Sequence, residues 1–185
     1  DLHDFGGRVD VDGVNVILDD LNAIQLGTVN ATGTLDVLAN GGVSDTAANV
    51  ITVDGVTTIV TSNGTVILDE GHDFRDRVDI DTTDGGLNNT ANVEVNDTAG
   101  GITFGTVNAE EFMVTSTGGD INDTAAMMIT ANGTTMVEAT GFDVLRFITS
   151  FEVIGRSGVS LRDAWEDDNA SAYLGTVVPD FPNFF

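Results

Sequence analysis

Apolar residues in this chain come in short runs that return about every 7 to 12 positions, the spacing of many short strands. Val9-Asp10-Val11, Val14-Asn15-Val16-Ile17-Leu18, Ile24-Gln25-Leu26 and Leu35-Asp36-Val37-Leu38 open the series. Val50-Ile51-Thr52-Val53, Thr58-Ile59-Val60-Thr61, Val66-Ile67-Leu68, Val78-Asp79-Ile80 and Val93-Glu94-Val95 continue it. Most runs alternate apolar with Asp, Thr or Asn, so that one side of each strand faces inward and the other faces water. Between them stand Gly6-Gly7, Asp12-Gly13, Gly41-Gly42, Asp54-Gly55, Asn63-Gly64, Gly85-Gly86, Gly118-Gly119 and Asn132-Gly133, steps that tolerate the backbone of sharp corners. Thr and Val favour strands, and helix signals are nearly absent up to Val144.

The pattern is written twice. His3-Asp4-Phe5-Gly6-Gly7-Arg8-Val9-Asp10-Val11-Asp12 returns as His72-Asp73-Phe74-Arg75-Asp76-Arg77-Val78-Asp79-Ile80-Asp81, 69 positions later. Ile24-Gln25-Leu26-Gly27-Thr28-Val29-Asn30-Ala31 returns as Ile102-Thr103-Phe104-Gly105-Thr106-Val107-Asn108-Ala109, 78 positions later. Nine extra residues therefore lie between Asp81 and Ile102 of the second copy. A tandem repeat of strand-sized pieces predicts stacked architecture. The expectation is an all-β fold, a right-handed parallel β-helix (solenoid) of about seven to nine short coils. The alternative is a β-sandwich, for which each copy is small. The expected organisation is a repeat region over 1–148, with copies over about 3–70 and 72–148, then a divergent C-terminal coil and docking tail over 149–185.

From Leu145 the composition turns aromatic, with Phe147, Phe151, Trp165, Tyr173, Phe181, Phe184 and Phe185. Such a tail either caps the stack or docks onto a neighbour's open strand edge. Val177, Val178, Phe181, Phe184 and Phe185 are the candidate subunit-interface residues.

Charge narrows the partners. The chain has 185 residues, 30 acidic against six basic, for a formal net charge of −24. Such an excess repels nucleic acid and anionic membrane surfaces. It serves solubility, and it permits cations or a cationic partner. There is no cysteine, hence no disulfide framework. No apolar run reaches the roughly 20 residues that span a bilayer, so membrane insertion is not expected. No leader precedes Asp1-Leu2-His3, which suits a mature or processed form.

Motifs for chemistry are sparse. Asp79-Ile80-Asp81-Thr82-Thr83-Asp84-Gly85-Gly86 has carboxylates alternating into a Gly turn, a spacing that can converge on one hard cation. Asp79, Asp81 and Asp84 are thus candidate calcium ligands, against the plainer reading of a solvated Asp/Gly corner. No other cofactor is expected. His3 and His72 hold equivalent positions, and each is expected to bond a backbone group at a corner rather than a metal. No nucleophile and base stand out. A polysaccharide lyase on a β-helix is disfavoured by the absence of Lys.

Asp4-Phe5-Gly6-Gly7-Arg8-Val9, the stretch Val14 to Leu35 and the step Gly118-Gly119-Asp120-Ile121-Asn122-Asp123 resemble the repeats of filamentous-haemagglutinin-like bacterial surface proteins. The resemblance covers roughly Asp4 to Thr140. It implies a right-handed parallel β-helix, secretion and a role in adhesion or surface structure, and it supplies no catalytic residues. The expected function is a non-enzymatic structural subunit of an extracellular or cell-surface fibre, matrix or adhesin. It would self-associate end to end, with a glycan or host surface as a further candidate partner. The alternative is a calcium-dependent carbohydrate-binding or adhesion module.

Overall fold

The computed structural model describes residues 3–83, 91–124 and 128–139. Every regular element among them is a β-strand. The first copy holds β1 (Val9–Gly13), β2 (Val16–Asp20), β3 (Ile24–Ala31), β4 (Leu35–Ala39), β5 (Val43–Asp45), β6 (Ile51–Val53) and β7 (Thr57–Thr61). β8 (Val66–Phe74) links it to the second copy. That copy holds β9 (Arg77–Asp81), β10 (Val93–Asp97), β11 (Ile102–Ala109), β12 (Phe112–Ser116), β13 (Ile121–Asp123), β14 (Ile129–Ala131) and β15 (Thr135–Ala139).

All pairings between these strands are parallel, and no strand pairs with the one next to it in sequence. The chain instead alternates between two sheets. One runs β1-β3-β5-β8-β10-β12-β15, with β6 sharing the rung of β5. The other runs β2-β4-β7-β9-β11-β13, with β14 sharing the rung of β13. This is a right-handed parallel β-helix of about six coils within the described residues. The antiparallel hairpins of a sandwich have no place in it. The chain divides into units 1–147 and 148–185, and the described residues all belong to the first. Asp84 and the tail residues Val177, Val178, Phe181, Phe184 and Phe185 lie outside the described residues.

Period-two alternation is realised as columns through the interior. Leu18, Val37, Ile59, Ile80, Val107 and Ile129 are successive ladder partners across five coil-to-coil steps. Ile59, Ile80 and Val107 are at most 1% exposed. Full burial of each such side chain contributes about 1.5–3 kcal/mol. Between the two sheets Phe104 of β11 and Phe112 of β12 meet edge to face with centroids 5.1 Å apart. Corners bring backbones together: a Cβ on Gly64 would strike the Gly41 carbonyl group of the coil beneath, so no larger residue fits there.

The two copies occupy opposite faces. The first spends one rung on each of β1, β2, β3, β4, the β5/β6 pair and β7, and β8 adds a seventh. Seven half-coils make three and a half coils. β1, β3, β5 and β6 therefore lie in one sheet, and their counterparts β9, β11, β13 and β14 lie in the other. Corners absorb the length differences. Val16 corresponds to Val93 and Asp20 to Asp97, a shift of 77, so eight of the nine extra residues precede β10. The ninth enters the turn at Gly100-Gly101, both at positive φ (89° and 83°).

Ile59→Ala, in the middle of the column, should lower stability by about 2–5 kcal/mol in urea titrations. Ile17→Ala, on the outer face at 75% exposure, should change it by less than about 0.5 kcal/mol. Equal losses would mean that the inward face is wrongly assigned.

Candidate functional site: the copy junction and the Arg-x-Asp clips

Two arrangements of polar side chains recur, one outside the helix and one inside. The outer one begins with a bulge. β1 pairs β3 through Val9 with Leu26 and Val11 with Val29, so three steps on β3 oppose two on β1. Such a bulge leaves one N–H without a ladder partner. Here it is the Thr28 N–H, which donates to Asp10 Oδ1 at 2.8 Å. Arg8 holds the other carboxylate oxygen, Nη2 lying 2.8 Å from Asp10 Oδ2. These contacts, the Thr28 N–H first and Arg8 second, hold the Asp10 carboxyl below its ordinary value. The second copy repeats this on the opposite face. The Thr106 N–H donates to Asp79 Oδ1 at 2.8 Å, and Arg77 Nε donates to Asp79 Oδ2 at 2.7 Å. Gly27 and Gly105 lie directly beneath the clips, where any Cβ would collide with the carboxylate.

Of the candidate calcium ligands, Asp79 is thus already committed to a backbone N–H and an arginine. Asp81 turns its Oδ1 to the Thr83 N–H at 3.0 Å. The two are neighbours on the outer side of β9 and border a shallow groove of about 270 Å³ with Thr58, Val60 and Thr106. Among the described residues no group of three or more ligating side chains is placed to hold a metal ion.

The inner arrangement lies where the first copy passes into the second. His72, on β8, is fully buried. Its Nδ1 accepts the Ile51 N–H at 3.1 Å, so that nitrogen is bare and the proton sits on Nε2. Nε2 is 2.9 Å from Asp45 Oδ2, off the line of a well-formed hydrogen bond. Asp45 Oδ2 also accepts the Glu70 N–H at 3.1 Å. Burial pulls His72 down to about 4, against a weaker upward pull from Asp69. Burial likewise raises Asp45. On the next coil Asp97 is the ladder partner of His72. Its carboxylate accepts the Phe74 N–H at 3.0 Å and the Ala99 N–H at 3.2 Å, and burial pushes it up to about 6. Asp20, its counterpart, accepts the Phe5 N–H at 2.9 Å and the Asn22 N–H at 2.6 Å.

His72 therefore bonds a backbone group, as the sequence suggests. His3 stands exposed on the first coil, as the ladder partner of Asp20. The roles of Asp45, Asp20 and Asp97 are invisible to motif reading. The available signal is an Asp ending a strand, at matched places in both copies, where neighbouring rungs end in Ala39, Thr61 or Ser116.

The arrangement is architectural, and the comparisons agree that the chain is built of repeats. A family profile described as repeats of unknown function (DUF5649) matches residues 13–81 and 90–145. The chain belongs to that family. The two DUF5649 matches are separated near the extra residues that precede β10. Over 50 residues, 27% of the chain, it is also 54% identical to an uncharacterised monooxygenase of Sinorhizobium fredii. It is 52% identical over 50 residues to an FAD-binding monooxygenase of Emericella nidulans. Against an uncharacterised monooxygenase of Mycobacterium tuberculosis it is 40% identical over 50 residues. The match spans only 8%, 8% and 10% of those proteins. No solved structure matches the chain.

The buried histidine gives a signed pH dependence. With its value lowered from 6.5 to about 4, the stability tied to its neutral form is complete above pH 6.5 and is lost as pH falls towards 4. Asp97, raised from 3.8 to about 6, acts oppositely and adds stability as pH falls from about 6 to 4. The contributions of His72 and Asp97 thus oppose one another across this window. The stability advantage of wild type over His72→Asn should shrink by on the order of 2–3 kcal/mol between pH 7 and pH 4, read from urea titrations at each pH. A constant difference would show that His72 titrates alike in both states.

Proposed function

We propose that the chain is a non-enzymatic structural element, a β-helical repeat segment of an extracellular or cell-surface fibre, matrix or adhesin. The observation that carries this reading is the uninterrupted ladder from copy to copy. The same coil sequence is used twice, half a turn apart, with no closing layer between the copies. Such a ladder accepts further copies along its axis and transmits load through backbone hydrogen bonds. Buried Asp20, Thr61, His72, Thr82, Asp97 and Ser116 bond the backbone, and the recurrent Arg-x-Asp pairs brace bulges, as a structural role requires. The net charge of −24 coats the outside and keeps wide β faces from sticking to one another. The resemblance to filamentous-haemagglutinin-like repeats supports a surface location.

The names of the partial relatives raise oxidation with bound FAD as a rival. FAD sites on a dinucleotide fold seat the pyrophosphate at a helix N-terminus after a Gly-rich turn. The described residues form strands alone and do not fit that group. The repeat family accounts for the chain as far as residue 145, and the composition turns aromatic from Leu145. We therefore place the monooxygenase-like stretch towards the C-terminal end, as a piece of different ancestry. A second reading rests on the groove beside Asp79 and Asp81: a shallow, acidic, Thr-lined face suited to a sugar held with calcium.

Electron micrographs of the purified chain at rising concentration should show rods that lengthen end to end. Uniform single particles at every concentration would remove self-assembly from the proposal. Calorimetry with calcium should give no heat; a clear isotherm, lost in Asp81→Asn, would favour the glycan-binding reading.

A further inference from the structure

An Asn-Gly step can rearrange without a catalyst, because glycine has no side chain to shield its own backbone nitrogen from the asparagine amide. The chain has three such steps, Asn40-Gly41, Asn63-Gly64 and Asn132-Gly133. Each stands at a corner where the chain passes from one sheet to the other, after β4, β7 and β14. All three asparagines are exposed. Dipeptide, corner and exposure therefore leave them alike, and only the coil ladder tells them apart.

Gly41 and Gly133 spend their N–H groups on the coil beneath. The Gly41 N–H donates to the Asn22 carbonyl at 2.9 Å, and the Gly133 N–H donates to the Glu110 carbonyl at 2.6 Å. The N–H groups of Asn40 and Asn132 are held in the same way, on the Asp20 and Ala109 carbonyls at 3.1 and 3.2 Å. At the middle corner the ladder grips either side of the step. The Ser62 N–H donates to the Ala39 carbonyl, and the Val66 N–H donates to the Asn92 carbonyl. The Gly64 N–H donates within its own corner, to Thr61 Oγ1 at 3.2 Å, and that hydroxyl donates to the Gly64 carbonyl at 2.6 Å. Asn63 has a φ of 62°, in the left-handed region that asparagine tolerates.

We propose that Asn63 is a site of spontaneous deamidation, selected from the three Asn-Gly steps because the Gly64 nitrogen is held by one local hydroxyl and not by the next coil. The Gly64 nitrogen gives up its proton to solvent base and attacks Asn63 Cγ. The new N–Cγ bond closes a cyclic imide, the Cγ–Nδ2 bond breaks, and Nδ2 leaves as ammonia with a proton from water. Water then opens the ring. Attack at Cγ restores the ordinary backbone as aspartate, and attack at the Asn63 backbone carbonyl gives the β-linked isomer. Both products add a negative charge. The β-link also adds one carbon to the main chain between residues 63 and 64. Gly64 lies against the Gly41 carbonyl group, where not even a Cβ fits. The longer link therefore lifts this corner from the coil beneath and breaks the hold of Thr61, which is fully buried. The aspartate form keeps the corner intact.

The test is to age the full chain in warm, mildly alkaline buffer and map its peptides by mass spectrometry, with an isoaspartyl methyltransferase to label the β-linked product. Asn63 should convert about threefold to tenfold faster than Asn40 or Asn132, the worth of the ladder hydrogen bond that must open at each of those. In urea the three rates should converge. Thr61→Val, which removes the local hydroxyl, should speed conversion at Asn63 alone. Equal rates in the folded chain, or conversion first at Asn40 or Asn132, would overturn the selection by the ladder. Unequal rates that persist in urea would do the same, since local sequence and not the fold would then decide. Asn63→Asp should unfold at the same urea concentration as the fresh chain, and the β-linked fraction at a lower one. A β-linked fraction as stable as Asn63→Asp would show that the corner has room for the extra carbon and would overturn that part of the proposal.

Discussion

The structure depends on the coil-to-coil backbone ladder. Each strand bonds the strand one full coil before it and the one after, so neighbouring coils must match in direction and register. Once that holds, residues at a given rung position stack on one another, and the interior becomes a set of columns rather than a three-dimensional puzzle. A column of Leu18, Val37, Ile59, Ile80, Val107 and Ile129 needs only apolar residues of similar size at each step. Length is free to vary only at corners. Leu35 to Thr57 is 22 positions and Val66 to Val93 is 27, yet both are ladder partners one coil apart.

The same constraint explains the polar interior. A position on a column cannot avoid burial, so the partners open to a polar residue there lie within the stack. Asp20 and Asp97 do so at strand ends, where the chain turns and leaves backbone N–H groups unspent. The Arg-x-Asp clips answer a different vacancy, the N–H freed by the bulges before Val29 and Val107. Because each copy contributes an odd number of half-coils, the clips fall on opposite faces. A third copy in line would return to the face of the first. An array of such copies presents its charged clips evenly on both sides, and the acidic coat is not concentrated on one edge.

Much of this was legible. The two-residue alternation fixes which side of each strand is inward, and the copied His-Asp-Phe and Gly-Thr-Val-Asn segments fix which strands are equivalent. The half-turn between copies was not legible, because it depends on how many corners fall within a copy, and β5 and β6 read as two strands although they share one rung. The acidic spacing at Asp79 and Asp81 looked like a cation loop. It is strand, with one carboxylate satisfied by an arginine two residues earlier and a backbone N–H one coil later. Spacing along the sequence shows the first of these partners and conceals the second. His72 was legible as a backbone-bonding residue because its neighbours repeat. Its burial against Asp45 was not, since that contact joins residues 27 positions apart through a coil whose length only the fold defines.

The junction between copies also shows how so acidic a chain can stack on itself. A charged histidine against Asp45 would need two ions stripped of water, and the attraction between them seldom outweighs that loss. The structure keeps His72 neutral and spends its bare nitrogen on a backbone donor, so the contact relies on burial and directed hydrogen bonds. A joint of that kind asks for no cationic surface. With six basic residues against 30 acidic ones, the chain has little positive charge to spend on such contacts. Coils that meet through apolar columns, backbone ladders and neutral imidazole can stack within the chain while their outer faces continue to repel.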